Sequence, residues 1–475
     1  LLRLQREIYE RTRSASWPVP DLMTWVLDPR NLAGAWDRVQ SNDGSKTPGL
    51  DGATAAGIRP RVQSWLGQLS TDLTRGAYRP TPPRWIDVPK DPGGSKMRRL
   101  GILTIRDRVV HAAVKQVLEP ILEPVFSPDS FGFRPGRSVP GALDQVTGQL
   151  AADGPESLPF HYAWRTDVRN CFDTIDHPVL ADRLSKCTSD EKALELIGRL
   201  AQAGGVCRGW LWFRRWAGLV QGSALSPLLC NYYLDPLDQA LAELGRRTGG
   251  GVRAFRYADD LLVVARNRLV AARAQACARQ ALRGLRQELS ESKSLLGRVV
   301  QGVDWLGVRI EPQPNRWTGR LEFVYVVPDA KVFKMLERID EMTVPPSARL
   351  DAGVFDLGRW LASLNEQLRD WWQAYMYADN AESVFRTLDE RTHDRVGELL
   401  HHVTGKRRGV LLREHSARLP RGFTSWEAGG VQLTVLSSLA PRRPRCLIGR
   451  PPWMWSAGNG KPSPRNRPAG GRQAG

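Results

Sequence analysis

The sequence predicts an α+β protein, and three observations carry that expectation. Residues 1–75 place apolar side chains at helical spacing between short loops, as in Leu22, Trp25 and Val26, then Leu32, Ala35, Trp36 and Val39. Short apolar runs at 84–104, 161–168 and 252–267 read as strands and hairpins. After Tyr325 the spacing is helical throughout. Val332, Leu336 and Ile339 form one stripe there, and Leu361, Leu364, Leu368, Trp371, Trp372 and Tyr375 form another.

Each element follows in order. "SNDGSKTPGLDG" is a Gly/Pro-rich loop within the N-terminal helices. "RWIDVPKDPGGSKMRRLGILT" reads as a hairpin around a Pro-Gly-Gly turn, followed by a helix from Asp107 to Val125. "HYAWRTDV" reads as a strand and "SPLLCNYYLDPLDQALAEL" as a helix. "VRAFRYADDLLVVARN" holds two strand-like runs that meet at Asp259 and Asp260, and a long Ala/Arg/Leu-rich helix spans 267–289. The last 35 residues, 441–475, hold eight Lys and Arg, seven Pro and no acid, the composition of a flexible basic tail.

The chain has 475 residues, enough for two to four domains. Its net charge is +18 and its pI about 10.1, which favours a polyanionic partner. No run of 18 apolar residues exists, so no membrane span is expected, and the first residues lack a signal-peptide core. Six scattered cysteines, with no C-x-x-C pair, read as reduced thiols of a cytoplasmic protein.

Against that basic background, adjacent aspartates inside an apolar run need a reason. Asp167 ends a probable strand, and Asp259 and Asp260 sit at the tip of a probable hairpin. Gathered on one sheet edge, the three carboxylates would bind two divalent cations about 4 Å apart and run an in-line phosphoryl displacement. Hard oxygen ligands suit Mg²⁺. A solvated turn accounts for the same spacing, and the pattern alone leaves both readings open.

Longer stretches narrow the choice. "FRYADDLLVVA" resembles the metal hairpin of the reverse transcriptases encoded by group II introns, and "RTDVRNCFDTIDH" resembles their first metal motif. "GLVQGSALSPLLCNYYLDPLD" is similar to their template-and-nucleotide motif, and "VPKDPGGSKMRRLGILTIRDRVVHAAV" to their fingers motif. "FSPDSFGFRPGRSVPGAL" and "NLAGAWDRVQSNDGSKTPGLDG" complete six motifs in family order, covering nearly the whole chain. The resemblance implies a right-hand polymerase. It divides into an N-terminal helical extension (1–75), fingers and palm with an antiparallel sheet (76–325), a helical thumb or maturase-specific region (326–410), and a basic DNA-binding-like end (411–475).

The same resemblance assigns roles. Asp167, Asp259 and Asp260 would be catalytic metal ligands, with the Val168 carbonyl as a further oxygen, for two Mg²⁺ ions or Mn²⁺ in their place. Phe172 would be the aromatic gate that excludes a ribose 2′-OH. Lys90, Lys96 and Arg98 would hold the triphosphate, while Gln221 and Gly222 would line the nucleotide pocket. Tyr257, Lys293, Trp371, Trp372, Arg391 and Arg395 would meet primer or template, with "DWLGVRI" as the primer grip. Arg99 and Leu103 stand where the family has proline, and Asp370 where it has glycine.

The implied partners are an RNA template, in particular structured group II intron RNA, a DNA primer or target, and dNTPs. The expected setting is the bacterial cytoplasm, near the nucleoid. One cysteine and no histidine after His415 imply no Cys/His-bearing nuclease domain. A free-standing relative with a role in defence or repair, and an RNA-binding maturase with an idle polymerase, are the alternatives.

Overall fold

The structure is a computed structural model that describes residues 1–13, 17–89, 97–152, 157–203, 217–315, 317–344, 356–418 and 424–439, together with Trp453 and the backbone of 205–206 and 212–213. It combines helices with antiparallel sheets, as the sequence predicts.

The N-terminal part holds α1 (Leu2–Arg13), α2 (Leu22–Val26), α3 (Pro29–Gln40), α4 (Ala55–Ile58) and α5 (Val62–Thr74). Asp28 starts α3 by accepting the Arg30 amide, with Pro29 in the first turn, where no amide hydrogen is needed. Strands β1 (Arg84–Pro89) and β2 (Met97–Ile102) form the expected hairpin, with Trp85 opposite Gly101. Helix α6 (Ile105–Leu122) follows. The Thr104 hydroxyl accepts the Asp107 amide at 3.1 Å and donates to its carboxylate at 2.6 Å, fixing the first turn.

Next come α7 (Val139–Leu150), β3 (Tyr162–Asp167), α8 (Cys171–Thr174), α9 (His177–Cys187), α10 (Glu191–Gln202) and the short strands β4 (Gly205–Val206) and β5 (Trp212–Phe213). Helix α11 (Ser226–Arg247), β6 (Val252–Tyr257), β7 (Asp260–Ala265) and α12 (Arg268–Gly284) lead to β8 (Leu295–Arg298). The central sheet has the order β6-β7-β3-β8, every pairing antiparallel.

Alternation gives this sheet two apolar faces. Trp164, Leu261, Val263 and Ala265 join a core with α6, α11 and α12. Ala163, Phe255, Leu262 and Val264 join a second core with α7 and with the sheet of β9 (Val303–Trp305), β10 (Val308–Pro314) and β11 (Leu321–Val326). A third core joins α13 (Asp329–Met342), α14 (Leu357–Tyr375), α15 (Ala381–Thr404), α16 (Arg408–Glu414) and the small sheet of β12 (Ser416–Arg418), β13 (Thr424–Ala428) and β14 (Val431–Gln432).

Two expectations are revised. The long helix ends at Gly284 rather than 289, and the following residues run beside β3, where Leu289 bridges to Val168. The chain beyond Tyr325 is not helical throughout, because β12–β14 fold onto α14 and α15. Leu411, Trp426, Leu433 and Leu436 all belong to the third core. Leu4, Ile8 and Trp36 share the first core with Trp164 and Leu261. Apart from Trp453, whose carbonyl accepts from Arg6 at 3.2 Å, the expected basic tail 441–475 lies outside the described residues. No helix among the described residues is long and apolar enough to cross a membrane.

Trp426 anchors the third core. It is fully buried, its indole donates to the His393 carbonyl at 2.8 Å, and a Cβ at Gly397 would stand 2.9 Å from its ring. Trp426→Ala is expected to cost about 3–5 kcal/mol in this unit. Chemical denaturation followed by fluorescence measures that loss, and an unchanged midpoint would separate 424–439 from the core.

Candidate active site

The site grows out of strand register. On β3 and β7 Asp167 stands directly opposite Asp260, and on β6 and β7 Tyr257 stands opposite Asp260. Directly opposed residues of an antiparallel pair share a face, so two like charges meet across the strands, an unfavourable pairing unless something neutralises them. Asp259 occupies the two-residue turn between β6 and β7. The Val168 amide donates to the Asp259 carbonyl at 3.0 Å, stitching that turn to the end of β3.

The electrostatics follow. Burial pushes the Asp259 carboxyl above its ordinary value, with repulsion from Asp167 adding to the rise. Asp260 is exposed at the start of β7, yet desolvation by the surrounding chain, followed by repulsion from Asp259 and Asp167, brings it up to about 6. Asp167 is buried. Its Oδ2 accepts from the Lys293 ammonium, while its Oδ1 is a buried acceptor with no partner. The bond to Asp167 raises the Lys293 pKa in turn.

The structure thus sets Asp167 opposite Asp260, with Asp259 in the adjoining turn. Among the described residues, however, no three His, Cys, Asp or Glu side chains are already closed around one point. Lys293 neutralises one of the three carboxylates, Asp167. A pair of opposed carboxylates with a spare buried oxygen suits a hard divalent cation.

The turn that carries Asp259 is held from behind, by residues the sequence reading passed over. Arg256 is fully buried in β6. Its guanidinium donates to both oxygens of Asp238 at 2.8 and 2.6 Å, to Asn231 Oδ1 at 2.9 Å and to the Ala258 carbonyl at 2.8 Å. Ala258 has φ +56°, a left-handed conformation that side chains disfavour, so the turn needs this support. Asn231 also donates to the Gly132 carbonyl at 2.7 Å, and a Cβ at Gly132 would stand 2.3 Å from the Ala258 amide nitrogen. The glycine of "SFGF" thus lets one segment lie against the back of the hairpin. The available signal was a charged residue inside an apolar strand run.

A second cluster adjoins the first. Phe172 lies in α8, its ring edge-on to Phe133 with centroids 6.3 Å apart, and its carbonyl accepts from the Leu219 amide at 2.7 Å. The Gln221 carbonyl accepts from the Gly101 amide at 2.8 Å, and its side chain reaches Asp173 at 3.4 Å. Gly222 has φ +107°, and a Cβ there would stand 2.9 Å from the Gly101 carbonyl oxygen. Phe172, Gln221 and Gly222 are thus brought together and tied to β2. Arg98 is exposed on β2, three residues or about 10 Å along the strand from Gly101. Lys90 and Lys96 lie outside the described residues. Behind this cluster the buried Ser223 hydroxyl meets His111 Nδ1 at 2.6 Å, and burial lowers the imidazole to about 4, keeping it neutral.

Of the remaining candidates Tyr257 stands at the site, and Trp371, Trp372, Arg391 and Arg395 lie in the helical unit. Tyr257 is half-buried beside Asp260. Trp371 packs on Tyr375 and Phe385 at 4.6 and 6.0 Å, and Trp372 is half-buried against the same third core. Arg391 grips Asp340 at 2.9 and 2.6 Å, and Arg395 bonds Asp340 at 3.2 Å and Glu398 at 2.6 Å. These four side chains, which the family resemblance assigns to primer and template contact, pack or pair within the helical unit.

Residues 88–310 match the family model described as reverse transcriptase (RNA-dependent DNA polymerase). The chain is 30% identical over 354 residues to Protein YkfC of Escherichia coli K12, covering 67% of this chain and 91% of that protein. It is 33% identical over 223 residues to the group II intron-encoded protein LtrA of Lactococcus lactis subsp. cremoris, covering 47% of this chain. The chain belongs to the group II intron-encoded family of reverse transcriptases. It is an RNA-directed DNA polymerase. This reverse transcriptase spans 35% of the length of LtrA, and 26% of the putative COX1/OXI3 intron 2 protein of Saccharomyces cerevisiae, to which it is 30% identical over 243 residues. Every carboxylate of the site lies within the matched residues, and reverse transcriptases as a class use divalent metal ions.

Two predictions test the site. Arg256→Lys cannot reproduce the fork to Asp238 together with the bond to Ala258. It is expected to lower kcat by roughly 10²-fold with RNA affinity unchanged, because small misplacements of reacting groups cost that much. Ala258→Gly, which adopts the turn unaided, should restore part of the loss. Stopped-flow primer extension reads both.

The second concerns pH in the presence of a chelator. Asp260 has its folded pKa raised to about 6, so the folded state binds the proton more tightly than the unfolded chain. Stability therefore falls as pH rises from about 4 through 6. Asp260→Asn should raise Tm at pH 8 and leave it unchanged below about pH 4; equal effects at both would remove the repulsion argument.

Proposed function

We propose that this reverse transcriptase extends a primer on an RNA template by two-metal nucleotidyl transfer, with folded group II intron RNA as its working partner. The observation that carries this is Asp167 facing Asp260 across β3 and β7, with Asp259 in the adjoining turn and a buried oxygen of Asp167 unpartnered. Asp167, Asp259 and Asp260, with the Val168 carbonyl, would hold two Mg²⁺ ions, or Mn²⁺ in their place. Such ions activate a primer 3′-hydroxyl and offset the charge of the departing pyrophosphate.

The chain's own residues supply the rest. Phe172, braced by Phe133, places a ring where a ribose 2′-hydroxyl would enter and so selects deoxynucleotides. Gly222 lets the backbone approach a base pair closely. Arg98, with the expected Lys90 and Lys96, meets the triphosphate. Lys293 neutralises Asp167 and must yield that carboxylate as cations bind. On this reading β1 and β2 with the N-terminal helices are the fingers side, the central sheet is the palm, and α13 to α16 with β12 to β14 are the thumb. Splicing assistance would rest on RNA binding alone and need no palm metal.

The test is primer extension by the purified protein with Mg²⁺, an RNA template, an annealed DNA primer and dNTPs. Asp259→Asn is expected to lower the rate by roughly 10²–10³-fold, the scale for removing one charge-stabilising group from such a site. Its affinity for intron RNA, and any promotion of splicing, should persist. Phe172→Val should raise ribonucleotide incorporation. Normal polymerisation by Asp259→Asn would sink the two-metal assignment, and unchanged sugar selection would make Phe172 a packing residue.

A further inference from the structure

The strand register separates two sides of the central sheet. Asp167 and Asp260 have the parity of Ala163, Leu262 and Val264, so their side chains belong to the face turned toward β9–β11. Helix α12 covers the other face, packing Ala271, Ala274, Ala278 and Leu282 against Trp164, Leu261 and Val263. Its solvent side therefore points away from the reacting carboxylates.

That solvent side has an unusual composition. The 17 residues of α12 include Arg268, Arg273, Arg279 and Arg283 and no acid. At 100° per residue Arg273 and Arg283 fall opposite the buried alanines, and Arg268 and Arg279 lie on the flank of the helix. Arg279 bonds Glu291 at 3.3 Å, but the side chains of Arg268, Arg273 and Arg283 make no hydrogen bond or ion pair among the described residues. From Arg268 to Arg283 the helix runs about 22 Å. At its C-terminal end Arg279 and Arg283 open onto a cleft of about 500 Å³ that Arg169, Gln287, Ser290 and Ser292 also line, along with Glu288 and Glu291.

We propose that the solvent face of α12 and this cleft form a second docking surface for the phosphate backbone of folded RNA, separate from the primer–template site. The inference rests on the reading that structured RNA is the working partner, and it names where RNA beyond a short duplex would lie. Guanidinium groups are weakly hydrated forks that match phosphate oxygens, and three unpaired ones on one rigid helix have no internal task. Ser290 and Ser292 add neutral hydroxyl donors of the kind that meet phosphate and ribose hydroxyls. A bilayer is a poorer fit, because the apolar side of α12 is already buried in the core and only Leu269 stands exposed as a large apolar group.

The test is the full-length triple variant Arg268→Gln, Arg273→Gln and Arg283→Gln, all exposed positions where folding is not at stake. Extension of a short primer–template should keep its kcat and KM within about twofold. Affinity for a long structured RNA should fall about tenfold near 100 mM salt. The slope of log K against log salt should shallow by about 2–3, since each lost phosphate contact removes roughly 0.7–0.9.

An unchanged slope and affinity would overturn the docking surface even if the wild-type protein polymerises normally. A wild-type protein that binds RNA but extends no primer would instead sink the polymerase reading and leave the slope comparison intact. Equal losses on the short primer–template would merge this face with the reaction channel and overturn its separateness. Weakened binding to anionic phosphatidylserine vesicles with RNA affinity intact would replace RNA by a membrane and overturn the proposal.

Discussion

Everything at the candidate site depends on Asp167, Asp259 and Asp260 being held near one another against their own repulsion. A protein satisfies that constraint only where backbone register leaves no alternative. Asp167 and Asp260 are paired by the ladder between β3 and β7, and Asp259 is the residue that a two-residue turn places beside them. Slipping β7 by one residue would send Asp260, and slipping β3 would send Asp167, to the face occupied by α12. The apolar faces of the sheet, each buried in its own core, prevent that slip, so the two cores are what keep like charges in contact.

The cost of this arrangement is distributed. Lys293 supplies one positive charge in front, on Asp167. Behind the hairpin the buried Arg256–Asp238 pair does a different job, fixing a left-handed Ala258 and linking β6 to α11. A buried ion pair of this kind is weak evidence for net stability, because desolvation offsets much of the attraction. Its use here is geometric: four directed hydrogen bonds define where the turn ends. Gly132 and Gly222 serve the same end by absence, since a methyl group at either would push the hairpin or β2 away.

Positive charge is divided between internal and external work. Arg134, Arg256, Arg391 and Arg395 are engaged with acids of the same chain, two of them deep in the core, so net charge overstates what a polyanion can meet. The arginines of α12 differ because their helix carries no acid, although α11 and the adjoining loops do. Basicity therefore becomes a binding surface by placement and lack of partners rather than by number.

Short-range pattern determined much of this protein by itself. Alternating and helical spacing located β3, β6, β7, α6 and α11. The adjacent Asp259 and Asp260, with Asp167 at a strand end, marked a candidate site before any contact was known, although their spacing fits a solvated turn as well. Tertiary structure alone decided which strand faces which, and so that Asp167 meets Asp260, because register is a property of two distant segments. It also decided that Arg391, Arg395, Trp371 and Trp372 pair or pack within the helical unit, while Arg256, marked in the sequence only as a charge inside an apolar run, holds the Ala258–Asp259 turn. An arginine has the same letter whether it faces solvent or a buried carboxylate. Only the packing around it determines whether its charge is spent inside the molecule or offered to a partner.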